Sequence, residues 1–406
     1  MNLRPYQIEA RDAILRTWET NKSQMCVVAT GGGKTLIAAD ASAKVAKAGG
    51  RILYLANRNE LLKQPYAIFE TQTGISPALE KANVHADRQS PIVIGSVQTL
   101  SRPSRLETWD REYFSHIFAD EAHMAAAASW RRIFDHFASA KICGITATPF
   151  RADNKSLIEI FETESFRADL FHLVDGGWLV NPDNVDRLST AISLAGVRVK
   201  RGVEGVDYDL GDAADAIAPY FRAIAQEIAA NHSERRILAY LPLIASSKKF
   251  VEICVDEGIN AVHIDGEDCF REHKLEAFRA GKIQLLANAN LLTMGVDVIP
   301  CDTTLNLRPT RSKVLYCQIV GRSTRTVPGI LDSCQNAQER LQAIANSPKP
   351  RAYILDPLWM NKPHGTRADV YGRLSKALGW KYHTAKIRTI EEARTVYLFE
   401  IGRAHV

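Results

Sequence analysis

The sequence has no long apolar run, no paired-cysteine motif and no low-complexity segment. In its 406 residues no apolar stretch approaches the roughly 18 residues that a membrane span requires. The first residues, MNLRPYQIEA, lack the charged-then-apolar pattern of a secretory signal, which predicts a cytoplasmic protein with no membrane partner. The seven cysteines are odd in number and form no Cys-x-x-Cys pair, which argues against a disulfide framework and a structural zinc site. We expect buried, reduced thiols.

The net charge is small, +5, and it is unevenly distributed. Residues 361–406 hold nine Lys or Arg and four Asp or Glu, so the whole surplus lies in this segment. A basic terminal segment on a formally neutral body is typical of a protein with a polyanionic partner such as nucleic acid. A solvated helical face would give the same charge pattern.

The length suits two domains of ordinary size and an appendage. Short β-branched or apolar runs alternate with longer stretches of helical period, which is typical of an α/β fold with parallel sheets. The alternation lapses after KICGITATPF and resumes near residue 185, so we predict lobes at residues 1–172 and 173–358 and a short basic, helical tail at 359–406. The predicted strands are MCVVA, RILYL, PIVIG, HIFAD and KICGI in the first lobe and RILAYL, AVHID, IQLLA, TTLNL and RAYIL in the second.

A glycine-rich loop follows the first predicted strand and precedes a helical pattern. Gly31, Gly32 and Gly33 would let consecutive backbone N–H groups face a phosphate, and the helix N-terminus adds the positive end of its dipole. Lys34 would reach the β- and γ-phosphates of ATP, and the hydroxyl of Thr35 would bind Mg²⁺. A glycine-rich turn without a ligand is the alternative interpretation.

An acidic pair ends the predicted strand HIFAD, within the residues DEAH at 120–123. The carboxyl end of a parallel strand is where such a sheet holds its ligands. Asp120 is suited to holding Mg²⁺, and Glu121 to orienting and deprotonating the attacking water. Taken alone, the four residues would also fit an acidic pair at the surface.

In this order the motifs resemble those of superfamily 2 helicases of the DEAH type, from Leu3 to about residue 358. Within that family the chain looks like bacterial and phage helicases similar to the DNA-repair helicase RadD. Val28 stands where the strict phosphate-loop pattern has glycine, a departure that the family tolerates. The segments that carry the resemblance are LRPYQ, ATGGGKT, LANRNELLKQ, GSVQTL, DEAH, GITATPFR, LLTMGVDVIP with LNLRPTRS, and QIVGRSTR.

The resemblance implies two RecA-like lobes in tandem that hydrolyse ATP, with Mg²⁺, in the cleft between them. It implies that Arg4 and Gln7 lie at the adenine, with Gln7 on the edge of the base. Asp297 would contact the ribose, and Gln318 would belong to the nucleotide site.

The resemblance also implies catalytic arginines on the second lobe. An arginine supplied across a closing cleft stabilises the charge that develops on the transferred phosphoryl group. Arg325 is the first candidate for this role and Arg322 the second. A phosphate contact or an interlobe ion pair is the alternative for Arg325.

The resemblance further implies DNA, single-stranded or branched, as the partner of a motor that acts as a monomer. An RNA helicase, or a duplex-DNA translocase serving a nuclease or recombination complex, is the alternative. In the tail, Trp380 and Lys381 interleave an aromatic ring with a cation, which suits a nucleic-acid grip, although Trp380 could instead pack onto the second lobe. The implied contacts in the lobes are Asn57, Arg58, Ser96, Gln98, Thr99 and Arg308.

Overall fold

The computed structural model describes residues 2–57, 62–149, 157, 160–182, 188, 192–202, 205–289 and 301–359. Its strands form two all-parallel sheets and one two-stranded antiparallel hairpin. The predicted pair of α/β lobes is therefore confirmed. The predicted tail lies outside the described residues.

The first lobe is built on a seven-stranded sheet with strand order β3-β4-β2-β5-β6-β1-β7. Its strands are β1 Ser23–Val28, β2 Ile52–Ala56, β3 Ala78–Glu80, β4 Ile92–Ser96, β5 His116–Asp120, β6 Lys141–Thr146 and β7 Thr163–Ala168. Its helices are α1 Pro5–Thr20, α2 Lys34–Lys47, α3 Lys63–Thr73, α4 Val97–Leu100, α5 Pro103–Leu106, α6 Ala128–His136 and α7 Leu170–Asp175.

Helices cover both faces of this sheet, because its strands carry apolar side chains that face both sides. The side chains of β2 and β4 are buried at every position, as expected for parallel strands enclosed on two sides. On one face Ile14 and Trp18 of α1 and Ile37 of α2 are buried against the sheet. On the other face Trp130 and Ile133 of α6 are buried.

The second lobe is built on a five-stranded sheet with strand order β11-β12-β10-β13-β14. The hairpin strands are β8 Val199–Gly202 and β9 Gly205–Tyr208, and the sheet strands are β10 Ile237–Tyr240, β11 Ala261–Ile264, β12 Leu285–Asn288, β13 Thr303–Asn306 and β14 Tyr353–Leu355. The helices are α8 Leu210–Ile217, α9 Phe221–Asn231, α10 Ile244–Asp256, α11 Arg271–Arg279, α12 Lys313–Val320 and α13 Ala337–Ala345. Single 3₁₀ turns occupy Ala122–Met124, Ala218–Tyr220 and Pro357–Trp359.

All ten predicted strands are confirmed, but the predicted lapse after KICGITATPF is wrong. The edge strand β7 lies inside it and pairs with β1. Its residues TESFRA are mostly half-buried, so it lacks the continuous apolar run that marks the central strands. The three-residue edge strand β3 and the hairpin β8–β9 were not predicted, and for the same reason.

The boundaries at 172/173 and 358/359 stay predictions. Helix α7 runs across the first of them. Four of the seven cysteines are buried, in line with the expectation, whereas Cys269 is exposed. Among the helices that the structure describes, none combines the length and the apolarity needed to cross a membrane.

We expect Gly144→Ala to destabilise the first lobe. A Cβ at Gly144 in β6 would lie 2.4 Å from Cζ of Phe161 and 2.8 Å from Cβ of Ala122, so the packed core would have to shift, which costs about 1–3 kcal/mol. Thermal unfolding followed by circular dichroism should show a melting temperature lower by several degrees. Gly266→Ala is the control, because a Cβ there meets no atom within 4 Å. An equal melting temperature for the two variants would contradict the prediction.

Candidate active site

A cleft of about 400 Å³ lies where residues of the two lobes meet. The first lobe contributes the loop between β1 and α2 and the carboxyl end of β5, and the second contributes α12 and the segment after it. The predicted site residues that line the cleft are Arg4, Gly31, Gly33, Lys34, Thr35, Asp120, Glu121, Gln318, Arg322 and Arg325.

The loop of residues 30–35, here called the phosphate loop, has a backbone that only glycine adopts easily. Gly31 and Gly33 have φ values of 87° and 81°, in the left-handed region that favours glycine. A Cβ at Gly32 would lie 2.5 Å from Cγ1 of Val28. Helix α2 begins at Lys34 without a side-chain cap, so its first N–H groups are left for a ligand. This arrangement fits a triphosphate, with Lys34 and Thr35 at the cleft.

Two side chains of α1 hold the phosphate loop from behind. The hydroxyl of Tyr6 donates to the carbonyl of Gly32 at 2.8 Å, and Nε2 of Gln7 donates to the same oxygen at 3.0 Å. Oε1 of Gln7 accepts from the backbone N–H of Arg4 at 2.9 Å. Gln7 is 4% exposed and does not line the cleft, so its adenine contact stays a prediction. Arg4 lines the cleft, with its guanidinium 5.2 Å from the ring centre of Trp178.

The acidic pair lies at the end of β5, and both of its members are half-buried at the cleft. Glu121 has a φ of 54°, which is unusual for a residue with a side chain, and it lines the cleft. Nδ1 of His123 lies 3.3 Å from Oε2 of Glu121. Asp120 accepts a hydrogen bond from the hydroxyl of Tyr54 at 2.7 Å.

Charges around this pair separate the pKa values of its two members. Burial, and then the charge of Glu121, raise the pKa of Asp120 to about 6. Burial also opposes the charge of Glu121, but the contact with His123 and the positive charge of Lys34 outweigh it and lower the pKa of Glu121 to about 2. Glu121 is therefore ionised at neutral pH, whereas the positive charge of Lys34 only partly offsets the cost of ionising Asp120.

A magnesium ion fits this donor set. Mg²⁺ prefers one or two carboxylates together with waters and phosphate oxygens. Asp120 offers a half-buried carboxylate whose charge is disfavoured by desolvation, and Thr35 lines the same cleft. Asp120 and Thr35 would hold the ion.

The predicted second-lobe residues lie close to the phosphate loop. A Cβ at Gly31 would lie 3.1 Å from Cγ of Arg325, and a Cβ at Gly321 would lie 2.6 Å from Cβ of Thr30. Arg322 is 6% exposed, and its positive charge contributes to the low pKa of Glu121. The lobes are thus in contact at the phosphate loop, with both arginines at the cleft.

The predicted nucleic-acid contacts differ in accessibility. Asn57 is half-buried just after β2, and Gln98 is exposed in α4. Ser96 and Thr99 are buried, and Oγ1 of Thr99 accepts a hydrogen bond from the N–H of Ala82. Arg308 is 9% exposed. Three further predicted nucleic-acid contacts lie outside the described residues: Arg58, Trp380 and Lys381. The predicted ribose contact, Asp297, also lies outside them.

Sequence reasoning missed three residues at this site. Tyr6, Tyr54 and Trp178 all contact site residues. Tyr6 stands inside the motif LRPYQ, which was a usable signal. Tyr54 stands inside an apolar strand, where an aromatic residue normally indicates core, and Trp178 lies in the segment where the strand pattern lapses.

Two families match the chain. The family described as "Type III restriction enzyme, res subunit" matches residues 1–151. The family described as "Helicase conserved C-terminal domain" matches residues 220–327. Over these two ranges the chain is similar to the two families. The helicase match includes Gln318, Arg322 and Arg325, and the restriction-enzyme match includes the phosphate loop and the acidic pair.

Two relatives match most of the chain. A 51.5 kDa protein of a Lactococcus phage is 26% identical over 305 residues, which are 73% of this chain and 61% of the phage protein. A protein of Saccharomyces cerevisiae named as an ATP-dependent helicase, IRC3, is 27% identical over 354 residues, which are 80% of this chain and 49% of that protein. The chain therefore spans less than two thirds of the length of either relative.

A solved structure supports the fold of two RecA-like lobes in tandem. The ATP-dependent type ISP restriction-modification enzyme LlaBIII bound to DNA superposes with a TM-score of 0.64 at 18% identity. The superposition covers 93% of this chain and 30% of that enzyme. At this identity the likeness concerns the fold alone.

We expect Gln7→Ala to weaken nucleotide binding about five- to tenfold, because the phosphate loop loses hydrogen bonds that each contribute about 1 kcal/mol. Titration with a fluorescent ADP would measure the affinity. Gln72→Ala is the control, since Nε2 of Gln72 bonds to Asp40 elsewhere on the same lobe. Unchanged affinity would contradict the supporting role. The same titration with a fluorescent GDP would test the predicted adenine contact. A preference for ADP over GDP that is present in the wild type and lost in Gln7→Ala would support that contact.

Proposed function

We propose that the chain is an ATP-dependent DNA helicase or translocase that hydrolyses ATP in the cleft between its lobes. The observation that carries this proposal is the meeting of three chemical groups at one cleft: the phosphate loop, the acidic pair and the second-lobe arginines. Each group lies on a different structural element, and they come together only when both lobes are folded and in contact.

The roles of the site residues follow from their chemistry. Lys34 and the loop N–H groups bind the β- and γ-phosphates. Asp120 and Thr35 hold Mg²⁺, which supplies charge neutralisation on the phosphate oxygens when it is bound. Glu121, ionised because its pKa is low, orients the attacking water and accepts its proton. Arg325 contacts the transferred phosphoryl group from the second lobe.

Motion along a strand follows from closure of the cleft. An arginine that contacts the phosphoryl group only in the closed form ties the position of the second lobe to the state of the nucleotide. Strand contacts on both lobes, among them Asn57 and Gln98, would then shift relative to each other once per cycle. The tail residues Trp380 and Lys381 would hold the strand between cycles.

DNA is the proposed track for three reasons. The first-lobe family is named for a restriction enzyme, and the superposed LlaBIII enzyme is described as bound to DNA. The motif residues TAT at 146–148 and Gln318 resemble those of DNA-acting relatives such as RadD. That the chain acts as a monomer, and in the cytoplasm, stays a prediction.

Stimulation of ATP hydrolysis by different nucleic acids tests the proposal. We expect single-stranded or branched DNA to raise the ATPase rate at least tenfold above the basal rate, with RNA far weaker. Lys34→Ala is the control that must be inactive under all conditions, because it removes the cation on the β- and γ-phosphates.

The other outcomes of this assay are equally specific. Stimulation by RNA alone would replace the proposal with an RNA helicase. Stimulation by duplex DNA without strand separation would indicate a translocase module. Full activity in a folded Lys34→Ala protein would overturn the assignment of the phosphate loop.

We expect Arg325→Ala to lower kcat by about 10³, as removal of trans-acting arginines does, with little change in KM. The reason is that the guanidinium interacts with charge that exists only in the transition state. Steady-state ATPase kinetics with saturating DNA would separate the two constants.

Arg325→Lys is the matched control for this variant. It keeps the charge but loses the fork of N–H donors, so we expect an intermediate kcat. A rise in KM at unchanged kcat in Arg325→Ala would assign Arg325 to ground-state binding of ATP.

A further inference from the structure

The side chain of Tyr54 brings a hydroxyl to the acidic pair that no sequence motif accounts for. Tyr54 lies in β2 and is 1% exposed. Its hydroxyl donates to Oδ2 of Asp120 at 2.7 Å, and the backbone N–H of Glu121 donates to Oδ1 of Asp120 at 3.0 Å. Both carboxylate oxygens of Asp120 are therefore oriented by the protein itself, one of them by Tyr54.

The geometry fixes the direction of this hydrogen bond and the position of the ring. The phenol O–H of Tyr54 is the donor, because a carboxylate oxygen can only accept. The ring packs edge-on against Phe69, with 4.9 Å between the ring centres. Phe69 is itself fully buried in α3, so the tyrosine ring has little room to turn.

The pairing of the strands explains how Tyr54 reaches this carboxylate. Strand β2 lies beside β5, with Tyr54 opposite Phe118. Asp120 is two residues further along β5, on the same face of the sheet as Phe118 because side chains alternate. A tyrosine at this position is long enough to extend along that face to Asp120. An aliphatic side chain at the same position could fill the space but could not donate a hydrogen bond.

We propose that Tyr54 is a positioning residue for the Mg²⁺-binding carboxylate, holding Asp120 in the orientation that receives the ion. This inference rests on the proposed function. Removal of a residue that hydrogen-bonds to a metal ligand commonly lowers metal affinity by about 10- to 100-fold. Tyr54 would thus set how much Mg²⁺ the nucleotide site needs without touching nucleotide or ion.

The test is the Mg²⁺ dependence of nucleotide binding by the full chain carrying Tyr54→Phe. Binding of a methylanthraniloyl-labelled ADP is titrated with Mg²⁺, and separately in EDTA. We expect the Mg²⁺ concentration for half-maximal binding to rise about 10-fold, with unchanged affinity in EDTA. Tyr66→Phe is the matched control, because it removes a hydroxyl that bonds to Ser76 on the same lobe at 2.7 Å.

A second measurement separates positioning from a general structural role. In an Asp120→Asn background, Tyr54→Phe should have no further effect on the Mg²⁺ dependence, because the oriented carboxylate is gone. An equal loss of affinity in EDTA and in Mg²⁺, or an unchanged Mg²⁺ requirement, would overturn the inference. If Tyr54→Phe does not fold, Tyr54→Met, which also lacks the donor, is measured in its place.

Failure of this inference differs from failure of the proposed function. A wild-type protein whose ADP binding is indifferent to Mg²⁺ would overturn the metal site and, with it, the role of Tyr54. A wild-type protein that requires Mg²⁺, beside a Tyr54→Phe variant with the same requirement, would overturn only the role of Tyr54.

Discussion

The negative charge of two half-buried carboxylates at the end of β5 is the constraint on which the rest of the site depends. Two adjacent carboxylates that are partly removed from water are costly unless cations or hydrogen-bond donors compensate them. Lys34 comes from the start of α2, His123 from the turn after β5 and Arg322 from the second lobe, and all three favour the ionised Glu121. Among these cations only Lys34 also favours the ionised form of Asp120. A metal ion would neutralise the remaining negative charge of Asp120.

Because part of that compensation comes from the other lobe, the chemistry is tied to the contact between lobes. Thr30 and Gly321 approach so closely that a single added carbon at Gly321 would overlap Thr30. Arg325 reaches the phosphate loop beside this contact. A separation of the lobes at this point would withdraw both arginines together, so the site can be assembled or taken apart by one rigid-body movement.

Sequence reasoning succeeded where the chemistry depends on residues close together in the chain. Lys34 and Thr35 stand next to each other because a phosphate-binding helix start requires it, and Asp120 and Glu121 are also adjacent. The central strands could be predicted because each contains a run of apolar or β-branched residues. By contrast, the hydrogen bond from Tyr54 to Asp120 depends on the register between β2 and β5, which no local pattern encodes.

The same limit applies to the half-buried strand β7 and to Gln7. Strand β7 is mostly half-buried and mixes polar with apolar residues, so it has no apolar run that would indicate a strand. The amide of Gln7 faces the phosphate loop rather than the cleft, which depends on how α1 docks and not on the motif that contains it. The sequence motif identified Gln7 as a site residue. The hydrogen-bond partners of its amide could be determined only from the structure.

The position of β7 determines where a fragment that contains only the first lobe can end. Strand β1, which leads into the phosphate loop, is paired on one side with β6 and on the other with β7. The first family match ends at residue 151, before β7 begins. A fragment that stops there would leave the backbone N–H and C=O groups along one side of β1 open to a strand from another molecule, the arrangement that leads to edge-to-edge aggregation. Backbone pairing, rather than motif coverage, therefore sets the shortest first lobe in which both sides of β1 are paired, and it extends at least to Ala168.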